Sequence, residues 1–159
     1  KGHPYMHEPF FISVHPQAVL RQLWQLNHAW ETFDLTSFQC VIRVRPDLWM
    51  QSFEVPDWNR FYPESALVPW WGKFGGVNDR FAILGRHAAP HYFHTFSKVP
   101  ALMKQGCPLH PETLVQASLM EGWAKVCPTL QTLFATVRTN GEFRHAEITT
   151  ADVAEFRNR

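Results

Sequence analysis

The sequence predicts an α/β fold, a mixed and mostly parallel sheet with helices on its faces. Three observations lead there. The runs Phe38–Val44, Phe81–Leu84 and Leu130–Val137 are apolar and rich in β-branched or aromatic residues, as buried strands are. Two other stretches, Pro16–Phe33 and Pro111–Trp123, repeat their apolar residues at helical spacing. The 159 residues are 45% hydrophobic and 18% charged, which suits one domain with a real core rather than a disordered chain.

Residues 1–14 are polar and contain Pro4 and Pro9, so they read as irregular. Pro16 can open a helix, because its missing N–H would be an orphan in the first turn. Val19, Leu20, Leu23, Trp24, Trp30 and Phe33 keep to one face of that helix. Phe38–Val44 follows as a buried strand, and Pro46 stops its ladder. Leu48 to Trp71 holds Pro56, Pro63 and Pro69 with Trp49, Trp58, Trp70 and Trp71. It reads as one long aromatic loop. Such a loop serves either as an acceptor-binding lid with aromatic platforms or as a surface segment pinned by its own rings.

Phe81–Leu84 is a second short strand. A helix over His87–Lys98 carries Pro90 in its first turn. His87, His91 and His94 share one face of it, at a spacing zinc can use. No His-Glu-x-x-His pattern accompanies them, and a solvated face is the simpler account. Pro111 opens the next helix, where Glu112 complements the dipole and Leu114, Val115, Ser118 and Leu119 face inward. Leu130–Val137 is the last strand, and Thr149–Arg159 a short polar helix or tail. Cys40 reads as a small buried hydrophobe. Cys107 and Cys127 flank the Pro111 helix and could pair in an oxidising compartment.

Two segments carry chemistry. In Phe38–Trp49 (FQCVIRVRPDLW), Asp47 falls just past the carboxyl end of a strand, where open α/β sheets bind ligands. Arg43 and Arg45 beside it suit phosphate oxygens, and the hard Asp47 carboxylate suits a divalent cation. The same arginines also read as strand residues alternating into water. In Lys73–Gly85 (KFGGVNDRFAILG), Gly75 and Gly76 permit a turn. Asn78, Asp79 and Arg80 then stand at the mouth of a buried strand. That is a place to meet a polar ligand, or a tight turn with solvated charges. A net charge of +1 gives no argument for nucleic acid, and no apolar run is long enough to span a membrane. There is no Gly-x-Ser-x-Gly, no phosphate-binding loop and no full dinucleotide fingerprint.

In this order, Arg-x-Arg-Pro-Asp and Gly-Gly-Val-Asn-Asp-Arg-Phe-Ala resemble glycosyltransferase-like proteins of the GT-A type. Leu20–Trp30, His110–Leu114 and Val137–Gly141 resemble that family's preceding helix, later helix start and closing strand. The resemblance implies a GT-A-like domain over residues 1–159, or the C-terminal part of one. It implies transfer of a sugar from a nucleotide-sugar donor to an acceptor glycan or protein, normally with Mn²⁺ or Mg²⁺, in the Golgi lumen or secretory pathway. Asp47 takes the place of the metal-binding acid. Arg43 and Arg45, with Gly75, Gly76 and Arg80, lie toward the donor. Asp79 and Asn78 face the reacting sugar and acceptor as the catalytic pair. Trp70, Trp71, His110 and Glu112 form the acceptor rim.

Two departures bear on activity. Arg45 stands where the family often has the first of two carboxylates, and one carboxylate with waters is a weak cation site. Only 46 residues precede Asp47, where such domains place several βα units that hold the nucleotide. Those units are expected to be absent from this sequence or lost. The alternative to an enzyme is a non-catalytic module of the same fold, acting as a structural subunit with protein partners.

Overall fold

A computed structural model describes residues 15–52, 55–130, 133–137 and 139–145. The N-terminal stretch before His15, Arg138 of the closing strand and the tail from Thr149 lie outside the described residues. The elements run α1 (Pro16–Thr32), β1 (Cys40–Val44), β2 (Leu48–Ser52), β3 (Ser65–Pro69), β4 (Phe81–Gly85), α2 (Ala88–Phe93), α3 (Thr95–Lys104), α4 (Pro111–Glu121), β5 (Lys125–Leu130), β6 (Leu133–Val137) and β7 (Phe143–His145).

The described chain is mixed α/β and has two sheets. The first holds β1, β4, β3 and β5 in that order, and the second holds β2, β6 and β7. Strand alternation builds a core on each side of the first sheet. Ala82 and Leu84 of β4 meet Val41, Ala66 and Val68 and the buried faces of all four helices, including Leu23, Tyr92, Leu102 and Leu114. Phe81 and Ile83 point the other way and pack with Trp71, Phe134, Leu48 and Met50 toward the second sheet. The four-stranded sheet is therefore the middle layer, and β4, buried at all five positions, is its centre.

Three expectations are corrected. Leu130–Val137 is not one strand. Its apolar, β-branched composition hides a boundary between β5, paired with β3, and β6, paired with β2 and β7. The three expected strands are thus divided between two sheets, not joined in one. The first sheet is mixed but not mostly parallel: among the described pairings only β3 with β5 is parallel. The third correction is to the aromatic loop. Leu48–Trp71 contains β2, a 3-10 turn at Trp58–Arg60 and β3. β3 is central and almost wholly buried, and Pro69 sits at its last position. Pro128 sits in β5, an edge strand among the described strands, where a missing N–H is tolerated.

The helices opened by Pro16 and Pro111 follow their expected ranges closely, but the one expected over His87–Lys98 is two helices, the second continuing to Lys104. His94 leaves helical geometry between α2 and α3, and Thr95 Oγ1 bonds back to the Tyr92 carbonyl at 2.8 Å. α1 buries Val19, Leu23, Leu26 and Trp30, but Trp24 and Phe33 of the expected stripe lie outside. Trp24 stacks instead on His28, at 4.9 Å between ring centroids. No helix among the described residues is long and apolar enough to cross a membrane.

Candidate functional site

Three chain segments converge beside α1. The first is the carboxyl end of β1, which lies at the edge of its sheet among the described strands. Alternation turns Val41 and Arg43 toward the helices and leaves Ile42 and Val44 exposed. The Arg80 main-chain carbonyl accepts from Arg45 N at 3.1 Å and from Arg43 Nη1 at 2.5 Å. Its two lone pairs thereby tie β1 to the segment before β4. Arg45 to Leu48 then form a turn with Pro46 at its second position, closed by Leu48 N to Arg45 O at 3.3 Å. Asp47 sits in that turn. Arg45 grips it with both arms of its fork, Nε to Oδ1 at 2.9 Å and Nη2 to Oδ2 at 2.5 Å. Burial alone would lower the Arg45 pKa. The bond to Asp47 and the charges of Asp47, Asp79 and Glu112 outweigh it, so the guanidinium is held more firmly charged than usual.

The second segment is the turn from Gly72 to Arg80. Asn78 is wholly buried; its Nδ2 donates to Trp71 O at 2.9 Å and its Oδ1 accepts from Arg80 N at 3.0 Å. The amide therefore holds the turn rather than facing a ligand. Asp79 is 2% exposed. Its carboxylate accepts from Gln22 Nε2 of α1, and its main-chain carbonyl accepts from Tyr92 Oη at 3.1 Å. Arg80 lies over the Phe74 ring at 5.4 Å.

The third segment is the start of α4. Val77 N donates to Glu112 O at 3.2 Å, which seats the turn against the helix. Glu112 is 6% exposed. Burial, with the charge of Asp79 added, pushes its carboxyl up to about 8, so it is mostly protonated at neutral pH. His110 goes the opposite way, because burial disfavours its charged form more than Asp79 favours it. His110 Nδ1 and Glu112 Oε2 face each other across 3.2 Å, and neither reaches hydrogen-bond geometry with a described residue.

Above these groups a groove of about 600 Å³ runs between α1 and β1. Arg21, Gln22, Gln25, Arg43, Arg45 and Asp47 supply its polar lining. Gln22 lines the groove and also bonds Asp79, so Asp79 lies one side chain beneath the floor.

The structure thus divides the expected residues. Arg43, Arg45 and Asp47 line the groove, and Asp79 lies behind it. Glu112 and His110 face each other largely buried, within the influence of the Asp79 charge, and not on a rim. Gly75 and Gly76 serve the seating of the turn on α4. Trp71 is 1% exposed and packs on Phe134 at 4.5 Å between centroids, so it is a core residue and not a platform. Trp70 packs on the same cluster. His87 binds Glu64 at 3.0 Å, His91 contacts Lys98, and His94 packs edge-on to Trp30, so the three histidines do not meet. Cys40, Cys107 and Cys127 are free thiols.

Arg21, Gln22 and Tyr92 were not legible as site residues. They are ordinary polar or aromatic residues on helices, and only the fold brings them here. No protein-family model, curated protein or solved structure matches the chain.

Proposed function

We propose that this chain is a glycosyltransferase-like protein that moves a sugar from a nucleotide-sugar donor to an acceptor hydroxyl. One observation carries the reading: three guanidiniums and the Asp47 carboxylate line a single groove at the end of β1, with Asp79 directly beneath. Guanidinium forks match phosphate oxygens in charge and geometry. The groove volume is within the usual range for small-molecule sites. In the reaction the acceptor oxygen bonds the sugar's anomeric carbon as the carbon–oxygen bond to phosphate breaks. The nucleoside diphosphate leaves, and Asp79 takes the acceptor proton once Gln22 gives way. Positioning and fixed charge supply most of the rate in such a site.

The residues present do not fit the Mn²⁺ or Mg²⁺ that the resemblance implies. Both oxygens of Asp47 bind Arg45. Among the described residues no three His, Cys, Asp or Glu side chains come together as metal ligands. No step is therefore assigned to a metal.

A specific observation favours the other reading, a non-catalytic module with protein partners. Asp79 and Asn78 are both buried and both bonded within the fold. Melts with a panel of nucleotide sugars separate the two. At a hundredfold excess over Kd a true donor stabilises by about 2.7 kcal/mol. That is a rise on the order of 5–10 °C for a chain of this size. Asp79→Asn should keep the shift and lose release of nucleoside diphosphate to an acceptor. A well-folded protein that no donor shifts puts the module reading first.

A further inference from the structure

We infer that Arg45 is a built-in counter-cation, so that this groove binds a diphosphate without a divalent metal and Asp47 acts as the residue that positions Arg45. The inference deepens the donor site proposed above and rests on that reading for the nucleoside part of the ligand. Three features carry it. The Asp47 carboxylate is held through both of its oxygens, by Nε and Nη2 of one guanidinium. Each oxygen keeps a second lone pair, but a cation taking it would sit against the guanidinium of a bidentate, partly buried ion pair whose side chains are 26% and 31% exposed. The guanidinium has five N–H donors in a fixed plane, and the two bonds to Asp47 leave others for the groove that Arg45 lines. Arg21 and Arg43 line the same groove, giving three guanidiniums against the Asp47 carboxylate on the lining and the Asp79 carboxylate beneath it. A divalent cation would add to an excess of positive charge, whereas a diphosphate would offset it.

The geometry also explains why the first position of a would-be carboxylate pair can be an arginine. A fork pinned by Asp47 cannot swing freely, so less rotamer freedom is lost when phosphate binds. Asp47 then orients the donor group and need not touch the ligand.

Calorimetric titration of the full chain with inorganic pyrophosphate and with a panel of nucleoside diphosphates tests this, each in EDTA and in Mn²⁺. Binding of pyrophosphate in EDTA, within about threefold of its affinity in Mn²⁺, is expected. It should weaken as salt rises. Arg45→Gln should weaken it about ten- to a hundredfold, the scale of lost charged hydrogen bonds. Arg21→Gln, at an exposed position, should weaken it less and leave the fold unchanged by circular dichroism. Arg45→Asp places two carboxylates two residues apart and should make any remaining binding depend on Mn²⁺. Binding that needs Mn²⁺ in the parent chain, indifference to both arginine substitutions, or no pyrophosphate binding at all overturns the inference. Pyrophosphate bound in EDTA with no nucleoside diphosphate bound would leave the inference standing and remove the donor reading instead.

Discussion

Gly76 and Glu112 are in main-chain contact: a Cβ built on Gly76 would lie 2.2 Å from the Glu112 carbonyl carbon and oxygen. The turn that carries Asn78 and Asp79 is thus pressed against the first turn of α4, and glycine is required by close approach. Gly75 differs, since its φ is +80° but its Cβ would meet only Thr113 Oγ1, at 3.8 Å. Gly76→Ala must push backbone away from backbone, which costs about 1–3 kcal/mol or more. Gly75→Ala meets only the left-handed strain, roughly 1–2 kcal/mol. Urea midpoints of the two variants should place Gly76→Ala below Gly75→Ala. The reverse order would mean that α4 can withdraw without cost, and that the turn is not clamped.

Glu112 makes the stability of the chain depend on pH. Its carboxyl is raised from the usual 4.5 to about 8 by burial and by Asp79. Below the lower value folded and unfolded chains are both protonated. As pH rises through the window between the two values, the unfolded chain ionises while the folded one keeps its proton. Stability therefore falls across that window and levels off above it, by an amount on the order of a few kcal/mol. Glu112→Gln has no proton to lose. Its melting temperature relative to the parent should rise by several degrees from acid to mildly alkaline pH. A gap that is the same at both ends of the range would show that Glu112 ionises at its ordinary value.

How much of this was legible in the sequence depended on the range of the interaction. Helix starts are local, so Pro16 and Pro111 fixed the starts of α1 and α4 within a residue. The apolar runs located β1 and β4 for the same reason. Sheet membership is not local. Nothing in Leu130–Val137 says that β5 pairs with Ser65–Pro69 while β6 pairs with Leu48–Ser52. β3 was hidden because Pro69 and the neighbouring tryptophans read as loop, although the strand is buried on both faces. In the site, Arg43, Arg45 and Asp47 were legible because a strand end is a local feature. The roles of Asn78 and Trp71 were not, since a polar amide and an indole look the same in a sequence whether they meet solvent or core. The Asp79–Gln22 bond spans 57 residues and leaves no trace in the spacing.

The cysteines give a simple check on the fold. Cys107 is buried, and burial pushes its thiol up to about 11. Little thiolate forms near pH 8, so reaction with a thiol reagent should be slow in the folded chain. Unfolding without reductant should then release all three thiols. Only one free thiol under those conditions would mean a disulfide is present, and peptide mapping would then show whether it is the Cys107–Cys127 pair that an oxidising compartment would allow.

Gln22 closes the floor of the groove by bonding a carboxylate that is nearly inaccessible. The Asp79 oxygen that accepts from Gln22 Nε2 loses that donor in Gln22→Leu, which keeps a similar length of side chain without the amide. Losing a hydrogen bond to a buried charged group costs about 1.5–3 kcal/mol. At roughly 2–4 °C per kcal/mol, the melting temperature should fall by about 3–12 °C. Gln22→Glu should be worse at neutral pH, because a second carboxylate replaces the donor, and it should recover as the pH is lowered and a proton is shared between the two. Asp79→Asn in the Gln22→Leu background should restore part of the loss, since a neutral amide is cheaper to leave underbonded than a carboxylate. A double-mutant cycle on urea midpoints measures the coupling directly. A coupling near zero would mean that Asp79 does not depend on α1. The groove floor would then be no barrier between a ligand and the carboxylate beneath it.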